Sequence, residues 1–179
     1  MAWTENQSTS TSQFIDTAFG LINNFLERTK LAKTSGKPGK TRLMNYFLVE
    51  DQYYLVDLPG YGFAKVSKKV RAKWLELFQR YLQAQDRPLA LFHLLDVRHK
   101  PTAEDIEVAT WIRESGHPYA VAVTKIDKVG TNSRPLHYQE IISTLDMEPD
   151  TPFFPTSSAK GTGRLDMLAW IEAVLEASS

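Results

Sequence analysis

Three short segments combine carboxylates, hydroxyls and a lysine at spacings that chemistry can use. They are Asp57-Leu58-Pro59-Gly60, Thr124-Lys125-Ile126-Asp127 and Thr156-Ser157-Ser158-Ala159-Lys160. In a T-K-x-D segment the carboxylate can accept two hydrogen bonds from the N1–H and 2-amino group of guanine, while the lysine stem packs on the base. Each charge-assisted bond is worth about 1.5–3 kcal/mol, enough to reject adenine, which lacks that donor pair. In a D-x-x-G segment the Asp can hold Mg²⁺ through water and the Gly amide can sense a terminal phosphate. That tetrapeptide is equally at home as an ordinary turn. The S-A-K segment offers a backbone amide for guanine O6 and is weak alone. The order of the three, each at a strand end, points to guanine recognition.

Those strands must come from the surrounding pattern. Residues 1–13 are polar and Ser/Thr-rich and read as a disordered tail. Phe14, Ala18, Leu21, Ile22, Phe25 and Leu26 then follow a helical spacing, ahead of a basic Gly/Pro-containing loop from Lys30 to Lys40. Strands are expected at Leu43–Val49 and Tyr53–Asp57. Ser67 should cap a helix over Lys68–Gln85 with Val70, Trp74, Leu77, Phe78, Tyr81 and Leu82 on one face. Leu89–Asp96 is a nearly continuous apolar run, as in a strand covered on both faces. Thr102 and Asp105 have capping-box spacing for a helix that stops by Gly116 and Pro118. A buried strand at Tyr119–Thr124, a short helix near Leu136–Leu145, a short strand near Phe153–Thr156 and a last helix over Leu165–Glu176 complete the chain. Strands alternating with helices imply a doubly wound, mostly parallel α/β sheet with helices on both faces. Ligands of such sheets sit beyond the carboxyl ends of the strands, where the three segments lie.

The bulk numbers suit one compact domain, residues 14–179, with a substantial core: 179 residues, 42% of them hydrophobic. No apolar run is long enough to span a bilayer and no signal pattern opens the chain, so a cytoplasmic protein without membrane attachment is expected. With no cysteine, disulfides and thiolate metal sites are excluded. The formal net charge is zero, but its distribution is uneven. Six basic residues and no acid lie between Arg28 and Arg42, and five more without an acid between Lys65 and Lys73. A local basic field of this kind can attract a polyanion, although a solvated face reads the same way.

At this point the chain resembles a known family. Leu31–Thr41 (LAKTSGKPGKT) is similar to the switch I of EngB (YsxC/YihA) proteins, P-loop GTPases of the translation-factor class, and Val56–Lys69 (VDLPGYGFAKVSKK) to their switch II. DVRHKPTAED (Asp96–Asp105), TKIDK and SSAKG match in the same order, and the similarity runs from about Leu21 to the C-terminus. The resemblance implies a GTP- or GDP-binding protein that acts with Mg²⁺ in assembly of the large ribosomal subunit. It also implies links to cell division and septation, and a partner in the subunit precursor and its rRNA; a monomer is expected. It assigns nucleotide contacts to Lys37, Pro38, Gly39, Lys40 and Thr41, to Asp57, Leu58, Pro59 and Gly60, to Thr124, Lys125, Ile126 and Asp127, and to Thr156, Ser157, Ser158 and Ala159. Thr41 and Asp57 are the residues it places at Mg²⁺. No catalytic residue is assigned. Tyr61 stands where a Ras-type protein has its water-orienting glutamine, and His99 reads as structural or RNA-facing because it follows a different strand from the switches.

One part of the pattern is missing. A P-loop GTPase needs G-x-x-x-x-G-K-[ST] between its first strand and first helix, where backbone amides cradle the phosphates and the Lys reaches the β- and γ-phosphates. The only G-K-T here is Gly39-Lys40-Thr41, and the residue five before Gly39 is Thr34. Gln13–Gly20 resembles the segment ahead of the family's first strand, and Leu21–Arg28 the helix after its phosphate loop. That is the pattern of an internal deletion near 20/21. The absent strand would lie between those ending at Asp57 and Asp96, so a strained or partly open core is expected. Losing the loop removes about 5–10 kcal/mol of phosphate contacts, or four or more decades in nucleotide affinity. A nucleotide-independent ribosome- or RNA-binding module, or a non-functional fragment, is the alternative.

Overall fold

The computed structural model describes residues 45–49, 53–58, 68–83 and 89–177. Two strands, β1 (Asn45–Val49) and β2 (Tyr53–Asp57), pair antiparallel with Asn45 opposite Asp57 and Val49 opposite Tyr53. Tyr46 and Tyr54 are diagonal neighbours on the exposed face of this hairpin. Their rings meet edge to face with centroids 6.2 Å apart, a favoured cross-strand contact. Leu43 and Met44, expected at the start of β1, lie outside the described residues.

Helix α1 (Lys68–Gln83) carries Lys68, Lys69, Arg71 and Lys73 in its first half, so part of the second basic stretch is helical. Phe78 and Leu82, four residues apart, are buried. The expected cap Ser67 and the last two expected helical residues lie outside the described residues.

Residues from Gln79 onward form a compact unit of their own. Its sheet consists of β3 (Leu91–Asp96), β4 (Tyr119–Thr124) and β5 (Phe153–Pro155), parallel and in that order. Crossovers that join parallel strands need a helix, and α2 (Ala103–Glu114) and α3 (Arg134–Thr144) supply them. α4 (Arg164–Ala177) follows β5. One face of the sheet buries Leu95, Val121 and Val123 against Ala109 of α2 and against Ile141 and Leu145 at the end of α3. Each such Val, Leu or Ile side chain contributes about 1.5–3 kcal/mol on leaving water. On the other face Phe92 of β3 meets Trp170 of α4 edge to face at 4.9 Å, with Phe154 of β5 beside both. Helices thus cover both faces of this sheet, as the alternating pattern implies.

Some boundaries move. β3 starts at Leu91, two residues later than the apolar run, where the Leu91 amide bonds to the Pro118 carbonyl. Its even-numbered residues are only half-buried, so the run conceals an alternation. α3 starts earlier than expected, at Arg134, because Pro135 has its φ set for a first helical turn. The capping box of α2 forms as its spacing implies. The Thr102 amide donates to Asp105 Oδ2 at 2.7 Å, and the Asp105 amide donates to Thr102 Oγ1 at 3.2 Å.

His93 lies on the deeply buried side of β3, its Nε2 3.9 Å from Asp105 Oδ1. Burial pushes its pKa down from 6.5 to about 4, against the opposing pull of the Asp105 charge. Below pH 6.5 the unfolded chain therefore takes up a proton that the folded chain refuses. Stability should fall between pH 6.5 and 4, by at most about 3 kcal/mol, and this contribution should level off below pH 4. Urea melts at several pH values should show a shallower acid-side fall in His93→Gln; parallel curves would contradict the assignment.

Candidate functional site

The site grows from the carboxyl ends of β3, β4 and β5. Their register sets Asp96 beside Thr124 and Val123 beside Pro155, so the three following loops leave the sheet together. Thr124 is buried, and its hydroxyl donates to the Leu95 carbonyl at 2.9 Å while its own carbonyl accepts from the Val97 amide at 3.1 Å. Thr156 repeats the device on the next strand. Its amide and its hydroxyl both donate to the Val123 carbonyl, at 2.6 and 3.2 Å. Two threonines thus extend the ladders past the last strand residues.

Beyond Thr124 the chain turns sharply. Lys125 adopts the left-handed conformation (φ 59°, ψ 30°), an uncommon state for a residue with a side chain, and starts a 3₁₀ turn over Ile126–Lys128. Ile126 is buried in the core, and its amide donates to the Thr156 carbonyl at 3.2 Å. That anchor fixes the backbone between the Lys125 and Asp127 side chains.

After Thr156, the Ser157 and Thr162 backbones exchange two hydrogen bonds of 3.2 Å, closing a loop whose tip exposes Ser158, Ala159 and Lys160. Gly163 ends it at φ +78°, where a Cβ would lie 2.7 Å from the Pro155 carbonyl oxygen. Only glycine satisfies both conditions.

The two loops meet at one hydrogen bond. Ser157 Oγ donates to Asp127 Oδ1 at 2.6 Å, and Lys128 Nζ lies 3.4 Å from Asp127 Oδ2. The Ser157 bond is the main reason that the Asp127 carboxyl sits below its ordinary pKa; burial opposes it, while backbone hydrogen bonding and Lys128 add to the lowering. Asp127 is thus held as an ionised acceptor of set orientation. After β3, Asp96 takes three hydrogen bonds from Arg98 and lies 3.4 Å from Lys125 Nζ. Burial alone would raise the Asp96 pKa, but the Arg98 bonds and the charges of Lys125 and Arg98 outweigh it and the net shift is downward.

Of the residues singled out in the sequence, Thr124, Lys125, Ile126, Asp127, Thr156 and Ser157 come together, with Ser158 and Ala159 exposed on the same loop. Asp57 closes β2 and Leu58 follows it, both half-buried, in the unit of the hairpin. Pro59, Gly60 and the stretch Lys37, Pro38, Gly39, Lys40 and Thr41 lie outside the described residues, so the Mg²⁺ pair is represented by Asp57 alone. Among the described residues no group of three or more His, Asp or Glu side chains could hold a metal ion. His99 is exposed, and its amide donates to the Asp96 carbonyl at 3.1 Å. Nothing in the sequence spacing signals the link of Asp96 and Arg98 to Lys125.

Solved structures define the class. The chain superposes on a crystal structure of a probable GTP-binding protein engB with a TM-score of 0.71, covering 89% of this chain and 93% of that one at 19% identity. Era, in a crystal structure with MgGDPNP and nucleotides 1506–1542 of 16S ribosomal RNA, gives a TM-score of 0.58 at 24% identity over 88% of this chain and 51% of its own. At such identities the likeness shows the fold, that of a P-loop GTPase domain. Sequence narrows it. The family model described as "50S ribosome-binding GTPase" matches residues 20–125. Proteins called "Probable GTP-binding protein EngB" are 42% identical over 155 residues in Fusobacterium nucleatum subsp. nucleatum, which spans 87% of this chain and 79% of that one, and 43% identical over 145 residues in Halothermothrix orenii, 80% and 73%. The chain belongs to the EngB family.

Replacing Ser157 by Ala removes the donor that most lowers the Asp127 carboxyl. The Asp127 titration midpoint, followed by side-chain carboxyl ¹³C NMR, should move up toward the ordinary carboxylate range. An unmoved midpoint would show that Ser157 does not set the charge of this site.

Proposed function

We propose that the chain is a guanine-binding protein of the large-ribosomal-subunit assembly pathway that holds its ligand chiefly by the base. The observation that carries this reading is the ionised Asp127 fixed by Ser157 beside Lys125. A guanine placed there would give its N1–H and 2-amino group to Asp127, lie against the Lys125 stem and direct O6 toward the backbone amides of the Ser157–Ala159 loop. Adenine has no donor pair for Asp127, so a single carboxylate is enough to discriminate.

The remaining assignments follow from family membership. Lys37–Thr41 would form the first switch and Asp57–Gly60 the second, with Thr41 and Asp57 at Mg²⁺, which would neutralise phosphate charge. Residues 14–179 would be the G domain behind a tail of 13 residues, in a cytoplasmic monomer. The ribosomal partner is supported by the description of the family model and by the basic stretches beside both switches, which suit rRNA, whereas the link to cell division and septation rests on family membership alone. No G-x-x-x-x-G-K-[ST] sequence is present, so phosphates contribute little and nucleotide affinity is reduced. A nucleotide-independent ribosome-binding module is the second reading, favoured by the same missing motif and the retained basic stretches.

Titration with fluorescent GDP and Mg²⁺, with guanosine and ATP as competitors, tests the proposal. As comparison, a strand and phosphate loop inserted between Gly20 and Leu21 should tighten GDP binding by about four decades. The unmodified chain should bind weakly, with guanosine competing nearly as well as GDP and ATP not at all. Micromolar GTP binding would contradict the reduced affinity. No guanine-selective binding would contradict the site and leave the ribosome-binding module.

A further inference from the structure

The Asp96 carboxylate is more elaborately held than a strand end requires. It sits opposite Thr124 in the β3–β4 pairing, with only 12% of its side chain exposed. Oδ1 accepts from the Arg98 amide at 3.1 Å and from Arg98 Nε at 2.9 Å, and Oδ2 accepts from Arg98 Nη2 at 2.7 Å. The rigid guanidinium fork therefore fixes the plane of the carboxylate. The same Oδ2 lies 3.4 Å from Lys125 Nζ. The strand ends do not need this arrangement to stay joined, because the Val97 amide and the Thr124 hydroxyl already bridge β3 and β4.

An unanchored lysine samples many rotamers, and ordering it against a ligand costs affinity. Lys125 leaves a left-handed backbone next to the buried Ile126, and its ammonium is drawn toward Asp96. That pairing narrows the rotamers open to the Lys125 stem. We infer that Asp96, braced by Arg98, is a positioning residue that sets the Lys125 side chain for stacking on the guanine base. This rests on the guanine reading of the Thr124–Asp127 loop. Asp96 touches no ligand and acts through Lys125.

A double-mutant cycle on the full chain, read as guanosine affinity by ligand-observed NMR, tests the inference. Asp96→Asn should weaken guanosine about 5–10-fold in the otherwise unaltered chain and less than about twofold in the Lys125→Ala background. Inosine, which lacks the 2-amino group, should lose the same factor, because stacking and not the Asp127 contact is affected. Equal losses in both backgrounds would mean a structural role for Asp96 and overturn the inference, as would an Asp96→Asn chain that binds normally. If Asp96→Asn does not fold, Asp96→Glu, which keeps the charge but displaces it, replaces it in the cycle with the same criterion. A chain with no guanosine binding before any substitution overturns the guanine reading itself, and a cycle that fails on a binding chain overturns only the role of Asp96.

Discussion

The site depends on one constraint, the parallel register of β3, β4 and β5. Parallel strands end on the same side of their sheet, and this register sets Asp96 beside Thr124 and Val123 beside Pro155, so that the loops beyond them leave together. Neither an antiparallel neighbour nor a shift of one residue would do so, since a one-residue slip turns each side chain to the opposite face. The core holds the register by interdigitating Leu95, Val121 and Val123 with α2 and α3 on one face and the Phe92–Trp170–Phe154 cluster on the other. Thr124 and Thr156 then carry the hydrogen bonding one step past the strands. The loops are accurate because the strands beneath them are.

Two carboxylates in that small region are kept ionised by different means. Asp96 takes three hydrogen bonds from Arg98 and lies 3.4 Å from Lys125 Nζ. Asp127 is oriented by one short bond from Ser157 and a looser pairing with Lys128, which leaves acceptor capacity on a carboxylate that can take about four hydrogen bonds. The two acids thus lie at neighbouring strand ends, Asp96 next to Lys125 and Asp127 next to Ser157 and Lys128. No G-x-x-x-x-G-K-[ST] motif stands in this sequence, yet the loops after Thr124 and Thr156 keep their mutual hydrogen bonds.

Much of this was legible in the residues because local signals and tertiary structure agree. The Tyr119–Thr124 strand and the Thr102/Asp105 capping box are where the pattern puts them, since a β-rich apolar run and a cap with its reciprocal acid need no distant partner. The T-K-x-D and S-A-K loops were visible for the same reason. The alternation in β3 was not, because Phe92 and Leu94 are as apolar as the buried Leu91 and Leu95 on its other side. In the sequence Asp96 is only the polar end of an apolar run and the start of a family motif. Its partner Lys125 is 29 positions away, a distance at which no spacing carries a signal. The requirement for Gly163 also depends on where the Pro155 carbonyl lies, which composition cannot express.

The proposed guanine site at the loops after Thr124 and Thr156 is open to direct test. ¹H–¹⁵N spectra of the full chain titrated with guanosine and, separately, adenosine test it most directly. The account predicts guanosine-specific shifts in the amides of Thr124–Lys128 and Ser157–Ala159, with those of α2 and α4 unmoved. Equal responses to the two nucleosides, or none at these amides, would contradict it.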